Sequence, residues 1–174
     1  AALVGAANGF YLPGVAPKEY AEGDEVLLKV NKMTSSRTQL PYDYYDLPFC
    51  EPEGGVQDMA ENLGEILTGN VIQNSPFKIR MYEEVQCDIL CVKKYTDKEA
   101  QMFVEKIDEQ YLINMIMDNL PAAYKTISED HTQELAYYSH GFPLGGTVVN
   151  DAGVQMSKFL NNHVTVTVRY HIPD

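Results

Sequence analysis

The sequence predicts a mainly β protein with α content (α+β), an antiparallel, β-sandwich-like sheet carrying one long amphipathic helix. Three observations carry this. Several runs alternate apolar and polar residues with the period of a strand. One segment near residue 100 instead repeats its apolar residues with the period of a helix. Pro and Gly are spread along the chain and punctuate it into short elements.

FYLPGVAP, residues 10–17, is broken by Pro13, Gly14 and Pro17 and is expected to be a fixed irregular segment. EVLLKVNKM, residues 25–33, sends Val26, Leu28 and Val30 one way and Lys29 and Asn31 the other, which predicts a half-buried strand. LPYDYYDLPFC, residues 40–50, is aromatic and bracketed by prolines, suiting an edge strand or an ordered loop. Gly54 and Gly55 mark a turn, and residues 58–67 suit a short helix closed by Gly69. Residues 76–85 alternate again, with Phe77, Ile79 and Met81 on one face, and residues 88–95 follow as a second extended run. The main helix is predicted to start at Thr96, which forms a capping-box pattern with Glu99. Ala100, Phe103, Val104, Ile107, Tyr111 and Leu112 form its apolar stripe, and Pro121 is expected to end it. Residues 131–138 suit a strand, and GFPLGG, residues 141–146, a turn-rich connection. NHVTVTVRYH, residues 162–171, has the clearest strand pattern of all, with Val164, Val166, Val168 and Tyr170 on one side. No internal repeat is visible.

The chain has 174 residues, 45% apolar and 22% charged, which suits one globular domain with a sizeable core. Its 13 Lys and Arg face 25 Asp and Glu, for a net charge of -12 and no basic run. Nucleic acid and anionic membrane surfaces are therefore poor partners. No stretch approaches the roughly 20 apolar residues of a membrane helix. AALVGAANG, residues 1–9, is expected to be a signal-peptide remnant or a disordered terminus, and a remnant would place the chain in the secretory pathway.

Three cysteines, Cys50, Cys87 and Cys91, are disulfide candidates, and the odd count leaves one over or pairs it outside the chain. In an extended segment Cys87 and Cys91 would lie ~13 Å apart, beyond bridging. A turn or helix would let them meet, and a bridge from Cys50 to either is equally open. No His follows at zinc-like spacing. His163 and His171 share a face but lie ~26 Å apart along a strand, too far to bind one metal. Glu83, Glu84 and Asp88 lack the paired geometry of acid–base catalysis. Nucleotide, hydrolase and zinc-protease motifs are absent, so neither an enzyme nor a cofactor is expected. Tyr42, Asp43, Tyr44 and Asp46 are the ligand-binding candidates, since carboxylates among tyrosines can hold a sugar. They motivate the alternative of a secreted lectin-like module.

The punctuating segments together resemble the transmembrane 9 superfamily (the nonaspanin or endomembrane protein 70 family). FYLPGVAP, NKMTS, LPYDYY, PFC, NLGEILTGNVIQNSPFKI, CDILC, DNLPAA, GFPLG and LNNH with YH occur in family order across nearly the whole chain. The resemblance implies that residues 10–174 are a lumenal domain, incomplete at its C-terminus, of a protein attached to the membrane only through later spans. It implies Golgi and endosomal residence, a role in sorting or escorting membrane proteins, and partners that are membrane-protein cargo or neighbouring subunits. It supplies no catalytic residues.

Overall fold

A computed structural model describes residues 18–59, 71–127 and 136–172. Within them the protein is mainly β, with antiparallel pairing throughout and one α-helix. The expected irregular segment 10–17, most of the expected helix 58–67 and the start of the expected strand 131–138 lie outside the described residues.

Strand β1 (Glu25–Val30) alternates throughout and lies inside its sheet, paired on both edges. Val26, Leu28 and Val30 are buried, while Leu27 faces out. Each such burial contributes about 1.5–3 kcal/mol relative to exposure. One edge of β1 pairs with β2 (Gln73–Arg80) and the other with β4 (Met115–Met117). β2 begins before the alternation that starts at Pro76, so the proline lies within a strand. The strand tolerates it because β2 is at the edge of its sheet, paired among the described strands only with β1. The register slips opposite Leu28, beside Pro76, and the Ser75 hydroxyl donates to the Leu28 carbonyl there. A side chain thus supplies the donor that the strand lacks.

β4 turns into β5 (Leu120–Pro121) through Asp118 and Asn119, both in the left-handed region at φ 47° and 60°. Two consecutive positive φ values suit a tight hairpin, and Asp and Asn tolerate them well.

Helix α1 (Asp97–Asp108) starts where the capping box predicts. The Thr96 hydroxyl accepts from the Glu99 amide, and the Glu99 carboxylate accepts from the Thr96 amide at 2.8 Å. The expected extension to Pro121 is not found. Gln110 adopts φ 57° and breaks the helix, and Leu112 begins β3 (Leu112–Ile113). Tyr111 and Leu112 keep helical spacing but follow the break. The freed carbonyls at this end find donors. Ser35, the only buried polar residue among those described, donates its hydroxyl to the Glu109 carbonyl, and Arg37 reaches that of Asp108 at 2.7 Å.

The remaining strands form two-stranded antiparallel pairs, β3 with β8 (Phe142–Pro143), β6 (Ala123–Ile127) with β7 (Ala136–His140), and β9 (Gly145–Val149) with β10 (Gln155–Leu160). The GFPLGG segment, expected as a connection, therefore supplies β8 and the start of β9. A Cβ on Gly145 would lie 2.1 Å from the Phe159 carbonyl and 2.7 Å from Ile107, so its glycine serves close strand and helix approach rather than a turn. Gly141, at φ 69°, has the Asn114 side chain where a Cβ would go.

Two expected strands are absent. Residues 88–95 and 162–171 join no ladder among the described residues. Alternation supplies propensity, but a strand also needs a partner backbone. The core gathers Leu28, Val30, Met33, Leu47, Phe103, Ile107, Tyr111, Ile113, Met115 and Leu144 between β1, α1 and the tyrosine-rich turn.

Candidate functional site

The tyrosine-rich segment is an ordered loop. Tyr42 exchanges two backbone hydrogen bonds with Met33, at 2.8 and 3.0 Å, which anchors the loop at the end of β1. A single helical turn follows over Tyr44–Asp46. That turn sends its side chains in different directions. Tyr44 goes inward and is 6% exposed, stacked on Phe49 with ring centroids 4.2 Å apart. Phe49 meets Phe103 of α1 edge-on. Tyr45 lies half-buried and donates its hydroxyl to the Asn74 carbonyl at 2.7 Å. Asp46 points into solvent.

The four ligand-binding candidates therefore do not form one surface. Tyr42 and Asp43 are half-buried, Tyr44 is core, and Asp46 is exposed. Asp43 Oδ1 is shielded from water without a hydrogen bond among the described residues, and its compensation is the Lys32 ammonium 3.4 Å away. A lectin-like platform would need aromatic faces open to a sugar, and the Tyr44 ring is occupied by Phe49 and Tyr45.

Sequence inspection did not single out Lys106. Its ammonium lies 4.5 Å from the Tyr42 ring centre and 5.1 Å from that of Tyr111, and 2.6 Å from the Glu109 carboxylate. Burial opposes the charge on Lys106, but the hydrogen bond and charge of Glu109, with Tyr111 and Tyr42, outweigh it and raise its pKa. Tyr111 donates to the Leu40 carbonyl at 2.9 Å and accepts from Thr38. The only sequence signal for this cage was a Lys in the last turn of a helix, where it also favours the helix dipole.

Burial raises the Tyr44 pKa, aided by Tyr45 and Tyr95. Burial, then the Glu51 charge, pushes Tyr45 up to about 12. Burial and then Asp46 raise Tyr42, against a lowering by Lys106. These shifts keep phenols protonated, which suits packing and hydrogen-bond donation rather than proton transfer near neutral pH.

Cys50 and Cys91 are joined in a disulfide, and Cys87 is a free, exposed thiol. The bridge and a hydrogen bond from Lys93 to the Phe49 carbonyl tie residues 91–93 to the tyrosine-rich loop. His163 and His171 are exposed. Among the described residues no group of three or more His, Cys, Asp or Glu is placed to hold a metal ion, and no helix is long and apolar enough to cross a membrane. An open groove of about 290 Å³ is lined in part by Asn31, Asn114, Asn119 and His140 and by none of the four candidate residues.

No solved structure matches the chain. Among known sequences, it is 47% identical over 164 residues to transmembrane 9 superfamily member 10 of Arabidopsis thaliana, covering 94% of this chain and 25% of that protein. It is 44% identical over 165 residues to member 8 of the same plant, covering 95% and 25%. To Homo sapiens member 4 it is 40% identical over 179 residues, covering 96% and 27%. The chain thus spans about a quarter of the length of the curated relatives it matches. Its residues 41–174 match the family described as Endomembrane protein 70, and the chain belongs to that family of endomembrane proteins.

Proposed function

We propose that this chain is the lumenal, membrane-excluded domain of a multispanning endomembrane protein that sorts or escorts membrane proteins through Golgi and endosomes, and that it acts without catalysis. The Cys50–Cys91 disulfide carries the lumenal placement, since such bridges persist in oxidising compartments. Family membership supports the endomembrane setting. The exposed surface favours contact. Every residue of strands β6 and β7 is exposed, including Tyr124, Ile127, Tyr137 and Tyr138. Apolar patches of this kind mark protein interaction. In this reading the strand pair meets membrane-protein cargo or a neighbouring subunit, while membrane attachment lies elsewhere in the protein. We also read the fold as sandwich-like, with α1 laying an apolar stripe on it. Burial of Phe103 and Ile107 beside exposed Gln101 and Glu105 supports the stripe.

The test is recovery of cargo with the full-length protein, unaltered or carrying Tyr137→Ser with Tyr138→Ser. Both tyrosines are exposed, so the fold should persist. Cargo recovery is expected to fall while Golgi and endosomal residence holds. An unchanged cargo set would overturn the contact role. Digestion of residues 18–172 by protease added outside sealed vesicles would overturn the lumenal placement.

A further inference from the structure

Residues 162–171 combine the strongest alternation in the chain with no strand partner among the described residues. Among the described residues, the backbone of residues 163–172 makes no hydrogen bond. Yet the run is fixed on both sides. The Asn161 amide donates to the Leu144 carbonyl at 3.0 Å, and its side chain to the Pro143 carbonyl at 2.8 Å. Farther along, the Tyr170 ring packs edge-on against Tyr82, with centroids 4.9 Å apart. Between these anchors the backbone is open, and Val166 is 42% exposed.

Such a run is a liability when bare. HVTVTV, residues 163–168, has three valines, no Asp, Glu, Lys or Arg, and no Pro. High β-propensity with low charge is what recruits another strand.

We propose that residues 163–170 are the receiving edge for a β-strand donated by the same polypeptide, from the part of the protein outside these 174 residues. The matched relatives leave ample chain for this, since the present region spans only about a quarter of them. The rival occupant is a second copy, and two observations disfavour it. A net charge of -12 makes copies repel. Antiparallel self-pairing centred on Val166 would also set His163 opposite Arg169, with no acid to compensate. A tethered strand meets the edge at an effective concentration of the order of millimolar, which a separate copy must match by mass action. The complementary strand would place β-branched or aromatic residues against Val164, Val166 and Val168, and a carboxylate near Arg169. The inference rests on family membership and not on the sorting role, so each can fail without the other.

Amide hydrogen exchange on the full-length protein in a membrane mimetic tests the pairing. Residues 163–170 should exchange about 100-fold or more slowly than the free peptide of the same sequence. Exchange at the peptide's rate would overturn the proposal. Full-length protein carrying a photo-cross-linking phenylalanine analogue at Val166, mixed from light and heavy nitrogen-labelled copies, identifies the occupant. Adducts joining light to light and heavy to heavy support a strand in cis. Light-to-heavy adducts, or adducts to another protein, would overturn it.

Discussion

Tyr44 and Asp46 are two positions apart in one aromatic run, yet they belong to different regimes. A helical turn aims Tyr44 at Phe49 and leaves Asp46 in water. Replacing Tyr44 with Ala removes a buried ring from the main core and should cost roughly 3–5 kcal/mol, whereas Asp46→Ala should change stability by less than about 0.5 kcal/mol. Urea midpoints of the two variants check this, and a loss of ligand binding in the first would report unfolding rather than a binding site. The phenols also set an alkaline limit. Tyr44 and Tyr45 have pKa values raised above the ordinary phenol value, Tyr45 to about 12. The folded state therefore holds these protons more tightly, so their contribution is complete below the unfolded pKa of 10.0 and is lost as pH rises towards about 12. Melting temperature should be insensitive to these groups below that window and fall within it, tracked together with tyrosinate absorbance. The direction of Tyr44 was not legible in the sequence, because residues 40–50 have neither strand nor helix period. Only the contact with Phe49 and α1 decides which ring turns inward.

At the scale of elements, legibility followed the locality of the cause. The start of α1 was readable because a capping box is complete within residues 96–99. Thr96→Ala should cost about 1 kcal/mol of stability. The Glu99 carboxyl is held below its ordinary value chiefly by the Thr96 backbone hydrogen bond and then by the Thr96 side chain. Its contribution is thus present above the unfolded carboxyl pKa and lost as pH falls through the folded value. Melting temperatures of both proteins should therefore fall in acid as Glu99 protonates, since the backbone bond is common to both. The gap between them should narrow only in part, because the Thr96 hydroxyl still accepts from the Glu99 amide. The helix end was not readable, because Tyr111 and Leu112 keep the apolar spacing past the left-handed Gln110. β1 was readable, since three alternating apolar residues meet one core. Residues 162–171 alternate as well, and they misled because alternation carries no information about a partner. β8 and β9 were hidden for the opposite reason. Glycines that resemble turn residues are there to admit the Phe159 carbonyl and the Asn114 side chain.

For the whole molecule, the feature that joins distant segments is the disulfide between Cys50 and Cys91, 41 residues apart. The tyrosine-rich loop lies against α1, while residues 84–95 have no ladder of their own among the described residues. Without the bridge, that stretch would be held to the loop by Lys93 reaching the Phe49 carbonyl and to α1 by Tyr95 meeting Phe103. A closed loop of that length restricts the unfolded chain by about 4 kcal/mol on the loop-entropy account. A typical domain has only about 5–15 kcal/mol in total, so the bridge is a large share of what keeps the core closed. The double substitution Cys50→Ser with Cys91→Ser should lower the stability of the oxidised protein by about 2–4 kcal/mol. Added reductant should then have little further effect, while it lowers the unaltered protein to a similar level. Cys87→Ser separates the bridge from the spare thiol, because Cys87 is exposed and outside the pair. It should leave the denaturant midpoint unchanged before and after reduction. A large loss in Cys87→Ser, with the double variant unaffected, would mean that the stabilising pair includes Cys87 instead.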